Sequence, residues 1–273
     1  MSLILLVPLL GVALCLAMAG AWLIASRTGN SGWVDTIWSA STGAAAVAAA
    51  LAPLEGQEGF WPRQILLALL AGLWSARLAG HILQRTLSGH DDPRYAHLKR
   101  EWGADAPRRM FLFLQSQAIA GLFLALCVLA ARNPTPHWSI SDFAGILVLA
   151  VAVMGEGLAD RQLARFRAEP RNKGRVCDVG LWGVSRHPNY FFEWLGWCAY
   201  PLIAAPWADH PWGLAAGVGP LMMYWVLVHA SGIPPTEAHM LRSRGAAFAA
   251  YQARVSAFWP IPGAIKRFES PAE

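Results

Sequence analysis

The chain has 273 residues, 55% of them hydrophobic and 14% charged, and a formal net charge of +5. An ordinary soluble domain carries charge at about a quarter of its positions, so too little polar surface remains here to coat a globule in water. In a soluble protein the excess of positive charge would point to nucleic acid, but these basic loops lack the interleaved aromatics that stack on bases, and no nucleic-acid partner is expected.

A bilayer core about 30 Å thick takes roughly 20 apolar residues per helix. In chain order such runs occupy Leu3 to Ala25, Trp33 to Ala52, Gln64 to Leu83, Phe111 to Ala131, Phe143 to Ala159, Phe191 to Ala205 and Trp212 to Ala230, the sixth being the shortest. The runs are rich in Leu and Ala and show no period of two, which argues against a membrane β-barrel. The predicted fold is all-α: a polytopic membrane helical bundle of seven transmembrane helices, forming one domain over residues 1–273. In the first run Ala17-Met18-Ala19 has the form that signal peptidase reads, yet no positive segment precedes it and the apolar run continues to Ala25. A retained helix is expected.

Lys and Arg resist translocation, so their distribution predicts orientation. Of the 22 Lys and Arg residues, all but Arg63, Arg77 and Arg132 fall in segments that the seven spans place on one side. That side is predicted to be the cytoplasm, with the carboxy terminus there and the amino terminus outside. Its segments are the short first loop with Arg27, the loops 84–110 and 161–190 and the carboxy-terminal segment 231–273. Cys15, Cys127 and Cys198 lie in apolar runs and Cys177 in a loop, with no Cys-x-x-Cys and no paired His spacing. No disulfide and no metal are expected. Gly213 and Gly217 form a small-xxx-small face suited to close helix packing.

An ionised group in hydrocarbon costs at least a few kcal/mol, so each one inside a span calls for a partner or a polar cavity. Asp35, Arg77, His81, Glu156, Asp160, Glu193 and His229 are such residues. Asp35, Arg77, His81, Glu156, Asp160 and Glu193 sit at span ends on the predicted cytoplasmic side. Trp74, Arg77, His81 and Arg85 follow helical steps of three, four and four, and Glu156, Asp160, Leu163 and Arg167 make a second stripe on the fifth span. Mutual ion pairing would explain stripes alone. The loop after the fifth span also carries Arg161, Arg165, Arg167, Arg171, Lys173, Arg175 and Arg186, more than topology needs. Guanidinium forks suit phosphates, so a phosphate-bearing nucleotide is a candidate ligand. Gly155-Glu156-Gly157 opens like a dinucleotide fingerprint but lies inside an apolar helix with no preceding strand, and that match is set aside.

The segment Gly180-Leu181-Trp182-Gly183-Val184-Ser185-Arg186-His187-Pro188-Asn189-Tyr190-Phe191-Phe192-Glu193 resembles the membrane steroid 5-alpha reductase superfamily, particularly its bacterial branch. Its Arg-His-Pro-Asn-Tyr core is shared with isoprenylcysteine carboxyl methyltransferases. Trp74-x-x-Arg77-x-x-x-His81-x-x-x-Arg85, Asp92-Pro93-Arg94-Tyr95, and Ser231-Gly232 followed by Glu237 and Tyr251 also look like the bacterial branch. The resemblance covers roughly residues 30–262. Where the family has an asparagine on the fifth helix this chain has Glu156, and the position of the family's substrate-side tyrosine holds Trp74.

The resemblance implies an integral membrane enzyme of the bacterial inner membrane, with its active site opening to the cytoplasm. It would use NADPH to reduce the carbon-carbon double bond of a 3-oxo-Δ4 steroid or similar lipid enone. Arg77, His81, Arg85, Arg94, Glu156, Asp160, Arg167, Arg175, Asn189 and Glu193 are the expected cofactor-binding residues. Asn189 and Glu193 would hold the carboxamide end, Arg167 and Arg175 the phosphates, and Asp160 the adenosine. Asp35 and Tyr95 are the expected catalytic residues near the ketone. The alternative is a membrane methyltransferase using S-adenosylmethionine on a lipid or isoprenoid, and a transporter is the non-enzymatic possibility. The expected partners are membrane lipids and the lipid substrate, without an obligate protein.

Overall fold

The computed structural model describes residues 1–56, 61–89, 92–205 and 207–261. Residues 90 and 91 of the expected loop 84–110, and 262–273 of the expected segment 231–273, lie outside the described residues. The described residues form α1 (Leu3–Thr28), α2 (Gly32–Leu51), α3 (Trp61–Leu87), α4 (Pro93–Trp102), α5 (Ala106–Ala130), α6 (Ile140–Ala168), α7 (Pro188–Trp197), α8 (Ala199–Ile203), α9 (Val218–Trp225), α10 (Ile233–Arg244) and α11 (Ala246–Arg254), with no strand among them. They divide into two compact units: Met1–Gly145 with Tyr200–Gly219, and Ile146–Ala199 with Pro220–Glu273.

In the first unit α2 packs against α1, α3 and α5, while α5 also takes α1 and α4. On α1 the buried residues are Leu6, Leu10, Leu14, Met18, Ala21 and Ala25, one stripe at steps of three and four. Ile4, Leu5, Leu9, Val12 and Leu16 are exposed on the same helix. A helix that is apolar all round yet buries only one stripe belongs in lipid rather than water. In hydrocarbon no hydrophobic force draws helices together, so close packing of small residues does. Gly43 on α2 shows this, since a Cβ there would fall 2.0 Å from the Cβ of Ser75 on α3.

Five stretches are long and apolar enough to cross a membrane: Leu3–Thr28, Trp61–Leu87, Arg94–Ala130, Ile140–Ala168 and Pro211–Arg244. These lengths and compositions are those of a membrane protein. The second and sixth expected spans are not among the five. On α2, Asp35, Thr36, Ser39, Ser41 and Thr42 dilute the apolar run. The sixth is split into α7 and α8, because Pro201 lacks an N–H and its ring opposes the carbonyl of Trp197 four residues earlier. The seventh is a 3₁₀ stretch (Pro211–Gly217), α9 and a π turn (Val226–Ala230) in succession. In the other direction α6 outruns its expected span by nine residues, because Arg, Gln, Leu and Ala are good helix formers and the chain meets no breaker before Glu169-Pro170.

Arg63, expected as a loop cation, is instead fully buried at the start of α3. Its Nε and Nη2 donate to the two oxygens of Asp142 at 2.7 and 2.8 Å. Nη1 donates to the carbonyls of Asn133 and Thr135, and Nη2 to that of His137. Hydropathy cannot distinguish this arginine from a solvated one, because its partner lies 79 residues away. Arg132 is buried as well and donates to the carbonyls of Ala49 and Ala52 at the carboxy end of α2. The negative end of the helix dipole favours a cation there.

In the second unit α6 and α7 run antiparallel. A Cβ on Gly155 would fall 2.3 Å from the Phe192 ring, and one on Gly196 would touch Leu149 and Ala152. The turn Gly180–Gly183 is tied to α6 by Trp182 Nε1 donating to the Ala159 carbonyl and by Gln162 accepting from the Leu181 N–H. Phe248, Tyr251 and Val255 form a small core with Val176 and Met240.

Candidate functional site

Two clusters of polar side chains stand out, one in each unit. In the first unit Asp35 projects from the first turn of α2. One of its oxygens accepts from the Tyr95 hydroxyl at 2.6 Å and the other from Arg94 Nη2. Tyr95 is 3% exposed and its hydroxyl accepts from Gln117 Nε2 on α5 at 3.3 Å. Arg94 also donates from Nε and Nη2 to Asp92, whose carboxylate caps α4 by accepting the Arg94 N–H. Arg85, half-exposed at the end of α3, completes the chain by donating to Asp92 at 2.8 Å.

The sequence-predicted Asp35, Arg85, Arg94 and Tyr95 are therefore joined in one network through Asp92. The guanidinium of Arg94 is committed to two carboxylates. Along α3 burial falls from Trp74, which is buried, through half-buried Arg77 to exposed His81, which makes no hydrogen bond to the network.

Burial alone would push the Asp92 carboxyl up, but the hydrogen bonds and charge of Arg94, with Arg85 beyond, leave it below its ordinary value of 3.8. A carboxyl depressed on folding adds stability that is fully present above its unfolded value and is lost as pH falls through its folded one. The unfolding temperature of the parent is thus expected to fall as pH drops from about 5 to about 3, with a shallower dependence for Asp92→Asn. Parallel pH profiles for the two proteins would contradict this.

In the second unit Asn189 and Glu193 stand one turn apart on α7. Glu193 is buried and accepts from Trp197 Nε1 at 3.2 Å. The Asn189 Oδ1 is buried with no hydrogen-bond partner. The antiparallel register that sets Gly155 against Phe192 puts Glu193 level with Met154 and Asn189 level with Leu158 on α6, so Glu156 and Asp160 lie within about a turn of them along that helix. Glu156 is buried and Asp160 half-buried, while Arg167 and Arg175 are exposed. The unit thus combines buried acceptors with exposed cations.

A family model described as "Protein of unknown function (DUF1295)" matches residues 21–255. The chain belongs to this family. No curated protein and no solved structure matches it. Both clusters of this DUF1295 chain fall inside the matched residues.

The motif residues Arg186 and His187 are also accounted for. Arg186 holds both oxygens of Glu237, at 2.7 and 3.1 Å, and donates to the carbonyls of Gln252 and Val255. His187 meets the same carboxylate at 3.0 Å, and Gln252 Nε2 donates to it at 2.7 Å. The Arg-His pair is thus a clamp that ties the start of α7 to α10 and α11. Sequence reasoning named Glu237 only within a longer likeness and passed over Gln117 and Gln252. An amide on an apolar helix was the available signal for Gln117.

Proposed function

We propose that this DUF1295 protein is an NADPH-dependent reductase of a carbon-carbon double bond in a lipid enone, of which a 3-oxo-Δ4 steroid is one example. The observation that carries the reading is the buried, unpartnered Oδ1 of Asn189 one turn from the buried Glu193 carboxylate. An orphaned acceptor in the interior costs about 1–3 kcal/mol, which a donor on a ligand would recover. The amide group of a nicotinamide is such a donor, so the residues present fit the cofactor. Asn189 and Glu193 would hold its carboxamide, Glu156 and Asp160 its hydroxyls or amine, and Arg167 and Arg175 its phosphates.

NADPH, when bound, supplies hydride to the β carbon of the enone. The remaining chemistry belongs to the chain: Tyr95 carries a proton for the α carbon, and Asp35, neutralised by Arg94, orients that phenol. An enone dissolved in the bilayer need never cross water to reach a helical bundle.

The same reading takes all seven apolar runs as spans. The amino terminus lies outside, and the basic segments and the active site face the cytoplasm of a bacterial inner membrane, as the placement of Lys and Arg favours. The test is turnover by purified protein. With NADPH and a conjugated enone, the expected result is cofactor oxidation with formation of the saturated ketone. Methyl transfer from S-adenosylmethionine, with NADPH untouched, would overturn the proposal in favour of a methyltransferase.

A further inference from the structure

We infer that Gln117 is a positioning residue that holds the Tyr95 phenol for proton delivery; the inference rests on the reductase reading and adds to it a residue which that reading does not use. The direction of each hydrogen bond around Tyr95 follows from the charges. Asp35 accepts from Arg94 at one oxygen and faces Tyr95 with the other, an acceptor on both sides. Tyr95 must then be the donor in its 2.6 Å contact with Asp35. That leaves only lone pairs on the phenol oxygen for Gln117, whose amide must present Nε2–H, at 3.3 Å. With the amide so fixed, Oε1 faces the other way, and it is buried with no partner.

This orientation is costly in structural terms. A buried acceptor left unpaired is destabilising, and an apolar side chain of equal size would avoid the loss. Gln117 is also not needed to join α2 to α5, because the bond from Trp38 Nε1 goes to its backbone carbonyl and survives any substitution. What the side chain alone provides is a donor on the phenol oxygen. Around Tyr95, α2 contributes Asp35, α4 contributes Arg94, and α5 contributes Gln117 and the edge-on ring of Phe113.

The role follows from the proton balance. Hydride addition leaves an enolate, whose electron pair forms the new C–H bond at the α carbon with the Tyr95 proton. The O–H bond breaks and its pair stays on the phenol oxygen, which afterwards takes a proton from water. Before that step the O–H must turn away from Asp35, and Arg94 keeps the carboxylate satisfied while it does. Gln117 Nε2–H holds the oxygen in place through the turn and donates to the phenolate as charge develops.

The test uses Gln117→Met, near in size but without a donor, in full-length protein. Three results are expected. The variant unfolds at or above the parental temperature, because the orphaned acceptor is gone. Its kcat for enone reduction falls about tenfold, the order of one charge-assisted hydrogen bond, while KM for NADPH is unchanged. In cofactor-free protein labelled with ¹³C at the tyrosine Cζ, the Tyr95 resonance, assigned by its loss in Tyr95→Phe, moves in the variant. A reducing parent whose Tyr95 resonance stays put in Gln117→Met overturns the positioning role alone. Loss of kcat together with a lower unfolding temperature would make the role structural and overturn it too. A parent that oxidises no NADPH with any enone defeats the reductase reading instead, whatever the resonance does.

Discussion

Asn189→Ala and Glu193→Gln are each expected to lower NADPH-dependent enone reduction by about a hundredfold, equivalent to about 2.7 kcal/mol in the barrier. The two side chains are one turn apart on α7, and neither substitutes for the other. Asn189 offers a neutral acceptor with no partner of its own, whereas Glu193 offers a carboxylate already oriented by Trp197. Together they can fix which face of a nicotinamide is presented, and misplacement by about an ångström costs rate on this scale. The fold should survive both changes, because the clamp of Arg186, His187, Glu237 and Gln252 that anchors the start of α7 is untouched. Steady-state kinetics with thermal unfolding as the control checks this. Parental rates in both variants would remove the cofactor site from α7.

Arg63→Met is expected to have the largest effect on stability, about 3–5 kcal/mol, because it strands the Asp142 carboxylate in the interior. Both side chains are fully buried, and the arginine bonds not only Asp142 but also three carbonyls. A carboxylate without its counterion loses more than the pair was contributing. The double variant Arg63→Met with Asp142→Leu should therefore unfold at a higher temperature than Arg63→Met alone. If the double variant is the less stable of the two, the pair is not the source of the effect.

Much of the helical architecture was legible in the sequence because apolar runs report helices directly: α1, α2 and α5 begin and end within a few residues of the predicted spans or their polar extensions. The limits of α6, α7 and α8 were not legible from hydropathy. Helix length past the apolar run depends on propensity, and the break after Trp197 depends on one proline. The side-chain pairs were harder still. Asp35 and Tyr95 were both singled out, yet their contact joins residues 60 apart, and nothing local in the sequence encodes it. Arg63 shows the same limit more sharply, since a charge counted toward topology proved to be a buried ion pair. Arg94 is expected as a cofactor contact through the resemblance carried by Asp92-Pro93-Arg94-Tyr95, and only the fold reveals that Asp35 and Asp92 engage it. Asn189 was picked by resemblance. What the structure adds is the unpartnered oxygen that gives the choice a physical reason.

The central claim is hydride transfer, and isotope transfer tests it most directly. Purified protein would be supplied with NADPH carrying deuterium at carbon 4 of the nicotinamide and with a 3-oxo-Δ4 steroid or a simpler lipid enone. The account predicts deuterium at the β carbon of the saturated ketone and a proton from water at the α carbon. A saturated product without deuterium from either face of the cofactor, or a methylated product formed from S-adenosylmethionine instead, would contradict it.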